Sequence, residues 1–140
     1  MIICGYAGVG KSYMAEHFPN VMDLESTPFE KDWKRYAKCA IYYSKQGRFV
    51  LVSCHKELRK ILVSSNTYVI TVVPCIEDKE WYKEKFTQRG NKEEFIDTLM
   101  DNWENWLDKS KNMVIGEHWE VLKPHENLYD FIKRMNLIEM

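Results

Sequence analysis

Eight residues near the start, Gly5-Tyr6-Ala7-Gly8-Val9-Gly10-Lys11-Ser12, constrain this chain more than any other stretch. Glycines at 5, 8 and 10 let the backbone take positive φ and come close to an anion. Successive N–H groups can then point inward as a nest, next to the positive end of a following helix. The spacing G-x-x-x-x-G-K-S adds Lys11 as a cation for β/γ-phosphates and the Ser12 hydroxyl as a Mg²⁺ ligand. Such a loop joins a strand to a helix. Met1 to Cys4 reads as the strand, and Lys11 to Phe18 as the helix, stopped by Pro19. Gly5 to Ser12, with Tyr13 behind them, are therefore the expected nucleotide-binding residues.

Apolar runs and helical periodicities alternate along the rest of the chain. Val21 to Asp23, Phe49 to Ser53, Tyr68 to Val73 and Trp119 to Leu122 read as strands, the second apolar enough to be buried on both faces. Phe29, Trp33, Tyr36, Ala37, Ala40, Ile41 and Ser44 recur at helical spacing, and Gly47 closes that helix. Leu58, Ile61 and Leu62 mark a short helix. Asp78 to Arg89 reads as a charged one ending at Gly90-Asn91. Phe95 to Leu107 carries the widest apolar stripe and is expected to be the longest helix. Its Trp103 and Trp106 suit core packing better than a base-stacking platform. Lys109 to Gly116 reads as a loop, and Leu128 to Met135 as a terminal helix. Strands alternating with helices predict a parallel sheet covered on both faces, a three-layer α/β/α domain.

The 140 residues suit a single domain, 1–140, with no repeat or linker. A net charge of -1 gives no broad basic face, so nucleic acid is an unexpected partner. No apolar run reaches membrane-spanning length and no secretory leader is evident, so a cytoplasmic protein is expected. Cys4, Cys39, Cys54 and Cys75 lack the short paired spacing of a zinc site and read as reduced thiols.

The loop implies phosphate binding, and the reaction depends on its neighbours. Asp23-Leu24-Glu25 follows the second strand, at the sheet edge where ligands bind. Asp23 is placed to hold Mg²⁺ or its waters, and Glu25 or Ser26 to face an acceptor. A turn or cap is the plainer role for Asp23. The third strand ends in Ser53-Cys54 without the carboxylate that many NTPases put on the metal, which shifts that role to Asp23. His55 and Arg59 follow at the same edge. Arg59 is either a clamp for an acceptor phosphate or a solvated cation.

In their order these features resemble a short P-loop kinase of the adenylate kinase and shikimate kinase branch, and more closely the small nucleotide kinases of bacteriophages. The matching stretches are Gly5 to Ser12, Asp23 to Phe29, Val50 to Arg59, Tyr82 to Asn91, Asn102-Trp103 and Leu122-Lys123-Pro124. The resemblance implies a five-stranded parallel sheet of order 2-3-1-4-5 and ATP with Mg²⁺ as cofactors. A helix at about 30–46, carrying Arg35, would cover the acceptor nucleotide, and a lid would span about 78–91. Arg89 would reach the transferring phosphate, and the turn at Pro124 would lie near the donor base. Two departures stand out. Lys85 occupies the place of the first of two lid arginines, and Ser53-Cys54-His55 replaces the branch's aspartate-glycine element.

The expected activity is phosphoryl transfer from ATP to a nucleoside monophosphate, with Lys11, Asp23, Lys85 and Arg89 as catalytic residues. Glu25, Ser26, Arg35, His55 and Arg59 would hold the acceptor, and Ser12 and Asp23 the metal. Alternatives are a kinase for a small metabolite or a polynucleotide end, and a nucleotide-binding interaction protein without turnover.

Overall fold

The structure, a computed structural model, describes residues 1–138. Five strands form one all-parallel sheet in the order β2-β3-β1-β4-β5. They are β1 (Ile2–Gly5), β2 (Val21–Asp23), β3 (Phe49–Ser53), β4 (Val69–Val73) and β5 (His118–Val121). The expected order is observed.

Alternation along the strands divides the core in two. Ile3, Leu51 and Ile70 are register partners on one face, and Ile2, Val50 and Val69 on the other. All three inner strands are thus buried on both sides, as parallel sheets require. Against the first face pack α1 (Lys11–His17), α4 (Lys79–Gln88), α5 (Glu93–Asp101) and α8 (Leu128–Arg134), through Met14, Phe86, Leu99 and Phe131. Against the second pack α2 (Trp33–Lys45) and α3 (Lys56–Ser64), through Tyr36, Ala40, Leu58 and Leu62. Two single-turn helices, α6 (Trp103–Trp106) and α7 (Lys109–Asn112), complete the eight α-helices among the described residues. None of these helices is long and apolar enough to cross a membrane.

Three expectations need correction. The second helix begins at Trp33 rather than Glu30, because Glu30 and Lys31 have φ of 47° and 64° and Asp32 caps the helix from its side chain. The long helix at Phe95 to Leu107 breaks at Asn102, whose side-chain amide takes the Thr98 carbonyl at 2.8 Å. The loop at Lys109 to Gly116 starts with α7, capped by Asp108 accepting from the Ser110 amide.

Candidate functional site

Parallel strands deliver their carboxyl ends to one edge, and Gly5 stands opposite both Ser53 and Val72 there. From that edge residues 5–10 loop into α1, with Gly8 at φ 82° and Gly10 at φ 108°. Among the described residues no side chain caps the start of α1, and no acidic residue lies in its first turn. Its exposed N–H groups therefore suit an external anion.

Side chains converge on the loop. The Lys11 ammonium donates to the Gly5 carbonyl at 2.8 Å. Burial pushes its pKa down, while the Asp23 carboxylate pulls it back. The Ser12 hydroxyl donates to Asp23 Oδ2 at 3.2 Å. Burial raises the Asp23 pKa against the opposing pull of Lys11 and Ser12. Asp23 is therefore a partly desolvated carboxylate facing a hydroxyl and a cation, not a helix cap. Glu25 is exposed, and its charge reaches both Lys11 and Asp23. Ser26 opens a 3₁₀ turn by accepting from the Phe29 amide at 2.9 Å. Among the described residues no group of three or more His, Cys, Asp or Glu side chains could hold a metal ion.

The segment after β4 lies directly over the loop. The Lys85 ammonium donates to the Gly8 carbonyl at 2.9 Å and sits 4.4 Å from the Trp81 ring centre. Burial and the nearby Arg89 charge lower its pKa. A Cβ on Gly8 would come within 2.7 Å of Phe86, so only glycine lets α4 seat here. Tyr82 and Phe86 are core residues, which the charge-rich sequence of α4 concealed. Arg89, at the end of α4, is exposed and makes no ion pair among the described residues.

The turn after β5 also borders the loop, since the Leu128 amide donates to the Val9 carbonyl at 2.7 Å. Pro124 is exposed in that turn. His125 beside it stacks on Trp81 at 4.9 Å, and its amide donates to the buried Asp78 at 2.8 Å. Tyr13 is exposed on α1, stacked on His17 at 4.0 Å and edge-on to Tyr129.

On the other side, His55 Nδ1 pairs with Ser53 Oγ at 2.9 Å and its ring lies 4.6 Å from Trp33. Burial lowers its pKa, aided by the Lys11, Arg59 and Lys31 charges. Arg35 is exposed, donates to the Pro28 carbonyl at 2.9 Å and lies over the Phe29 ring. Arg59 matches neither role expected of it. Only 3% exposed, its guanidinium donates to Cys54 O, Asn112 O and, at 2.6 Å, the Glu117 carboxylate. Glu117 also accepts from the Thr71 hydroxyl and the Val114 amide. Arg59 is thus an anchor inside the fold, with its charge spent on Glu117.

Tyr36 escaped the sequence reading because its helical spacing marks it only as core. Its buried hydroxyl donates to Leu24 O and accepts from the Ser53 amide at 3.0 Å, tying the ends of β2 and β3 together. No protein-family model matches the chain, and no curated protein is significantly similar to it.

Proposed function

We propose that the chain is a P-loop kinase that transfers a phosphoryl group from ATP to a nucleoside monophosphate. The observation that carries this reading is the meeting of Lys11, Ser12 and Asp23 at a glycine loop opening an uncapped helix. Phosphoryl transfer is catalysed by positioning and charge neutralisation, with little covalent work for the protein. The loop amides would orient the β- and γ-phosphates, and Lys11 would exchange the Gly5 carbonyl for their oxygens. Ser12 and Asp23 fit Mg²⁺, which characteristically takes few protein oxygens beside phosphates and water and, when bound, neutralises charge on the phosphate oxygens. The raised pKa of Asp23 supports this fit, because a desolvated carboxylate gains most from a cation. In this reading α4 is a short lid that brings Lys85 to the loop and leaves Arg89 free to swing onto the transferring group.

The direct test is ADP formation with Mg²⁺ across a panel of nucleoside monophosphates, small-metabolite alcohols and 5′-hydroxyl oligonucleotides. Turnover is expected with at least one monophosphate and none after chelation of Mg²⁺. Asp23→Asn should lower kcat and raise the Mg²⁺ requirement while melting like the wild type. An earlier melt with normal turnover per folded molecule would make Asp23 structural, and turnover with another acceptor class alone would replace the monophosphate.

A further inference from the structure

Charge is nearly balanced over the whole chain, at -1, yet two helices hold it unmixed. α2 carries Lys34, Arg35, Lys38 and Lys45 and no acidic residue. α5 carries Glu93, Glu94, Asp97 and Asp101 and no basic one. On α2, Lys34, Lys38, Ile41 and Lys45 recur at helical spacing and so share one stripe. On α5 the carboxylates fall three and four residues apart, which puts them on one exposed face.

Neither arrangement helps its own helix. Like charges four apart repel, as at Lys34 and Lys38 on α2 and at Glu93, Asp97 and Asp101 on α5. Lys34 and Arg35 in the first turn of α2 oppose its dipole, and so does Asp101 at the end of α5. None of these side chains belongs to an ion pair among the described residues. A surface that destabilises its own helix has its use in what it meets outside it.

What each surface fits is the other. α2 and α3 border a groove of about 490 Å³, lined by Lys34 and Lys38 and by the apolar Ala37, Ile41 and Ile61. Asp32, the one acidic residue lining it, is engaged by the Arg35 amide at 3.1 Å. The acidic face of α5 has an apolar member at its border, Phe95, which is 42% exposed. An amphipathic helix laid in a groove is held by such an anchor. The two surfaces lie on opposite sides of the sheet, α5 against the first face and α2 with α3 against the second. They cannot meet within one molecule, but they can meet between molecules.

We propose that copies of this chain associate head to tail, the acidic face of α5 on one copy docking into the basic groove between α2 and α3 of the next. The contact joins two different surfaces, so each added copy leaves one of each kind open. Such a contact builds a growing chain of molecules unless its rotation closes a ring. The inference is independent of the kinase reading.

The test is sedimentation velocity of the full-length protein over a wide range of concentration, at low and high salt. At low salt the average mass should rise with concentration. The apparent Kd should weaken by about tenfold or more between about 0.01 M and about 1 M NaCl, where the screening length falls from about 30 Å to about 3 Å. Lys34→Gln with Lys38→Gln removes the groove's charge, and Asp97→Asn with Asp101→Asn removes that of α5. Each double variant alone should stay monomeric and melt no earlier than the wild type, since like charges are relieved. Mixed, the two should form a one-to-one pair and nothing larger, because each keeps a single intact surface. If a double variant misfolds, the single substitutions Lys38→Gln and Asp97→Asn take its place. A wild type that is monomeric throughout overturns the proposal, as does association that salt leaves unchanged. Variants that still associate alone, or a mixture that stays monomeric or grows beyond pairs, also overturn it.

Discussion

The glycine loop and the wall behind β3 meet at one edge of the sheet but are built by opposite means. The loop is contiguous, and in the kinase reading its work falls to backbone N–H groups whose aim depends on glycine conformations at Gly8 and Gly10. The wall is assembled from afar. Arg59 on α3 pairs with Glu117, 58 residues later, and Thr71 of β4 joins them. The loop keeps its charges near the surface, where a ligand can use them. The wall spends its charges on itself. Chemistry carried by the backbone is written in local spacing, whereas chemistry carried by paired side chains depends on contacts that no local pattern encodes.

The sharpest separation should come from Lys11→Ala. Among the described residues the Lys11 ammonium bonds only the Gly5 carbonyl, so its removal should leave the melting temperature nearly unchanged. In the kinase reading Lys11 meets the transferred phosphate, so its loss should lower kcat/KM by about 10³ or more. Steady-state kinetics and thermal denaturation on the same sample check both halves. A folded Lys11→Ala protein with full turnover would dissolve the contrast from the loop's side.

Arg59→Ala should behave in the opposite way. Breaking a buried ion pair strands its partner, and Glu117 is 8% exposed as a residue with a fully buried carboxylate. The cost should be about 3–5 kcal/mol in denaturant unfolding, with kcat per folded molecule far less affected. Adding Glu117→Gln should restore part of that loss, since the uncompensated charge goes. Activity lost without any loss of stability would instead return Arg59 to the acceptor site.

How far the sequence reached follows the same division. Val21–Asp23 and Phe49–Ser53 agree with the expected strands at both ends, the second because a parallel strand buried on both faces leaves a continuous apolar run. Asp23 was legible beside Ser12 because it ends a strand next to the loop. The start of α2 was not, since the left-handed turn at Glu30 and Lys31 is held by Phe29, Arg35 and Pro28. Arg59 was misread for a related reason. An arginine on an amphipathic helix looks solvated until a distant glutamate is known to face it. Tyr82 and Phe86 were hidden by the charges of α4 and are explained by Gly8, which they cover.

Arg89 and Lys85 probe where the loop's influence ends. Lys85 already holds the Gly8 carbonyl, while Arg89 is exposed at the helix end before Gly90, at φ 77°. In the kinase reading Arg89→Ala should lower kcat by about 10–10², with little change in ATP affinity, since arginine forks across phosphate oxygens. Lys85→Ala should act less on kcat and more on ATP affinity, through the loop it supports. Equal and small effects would make α4 a static cover and favour a binding protein without turnover.

A smaller effect, of opposite sign, is expected beneath α4. The Tyr6 and Tyr82 hydroxyls are buried without hydrogen-bond partners among the described residues, although Trp103 beside them donates to Ile76 O at 2.8 Å. A buried polar group left unmet costs about 1–3 kcal/mol. Tyr82→Phe removes the group and keeps the ring, so it should raise stability by about 1 kcal/mol. A lower melting temperature would mean that the hydroxyl is satisfied by water.

The last and shallowest effect belongs to His55, which stands where loop and wall touch. Its ring faces Ser53 and Trp33, and the Lys11, Arg59 and Lys31 charges act on it. Burial first, then those three cations, hold its pKa below the ordinary 6.5, so the folded protein resists protonating it. Between the depressed pKa and 6.5 the unfolded chain therefore binds more protons than the folded one. Stability from this group is full above 6.5 and is lost as pH falls through the folded value. Denaturant unfolding measured downward from neutral pH should show that decline, and His55→Gln should flatten it while leaving the carboxylate-driven acid limb in place. The cations give the contrast its final test. Arg59 contributes from the wall and Lys11 from the loop, so Lys11→Ala should bring the His55 pKa back toward 6.5 by NMR titration without unfolding the chain. An unmoved His55 would mean that burial and the remaining Arg59 and Lys31 charges set its pKa, and that the loop's field ends before it reaches the wall.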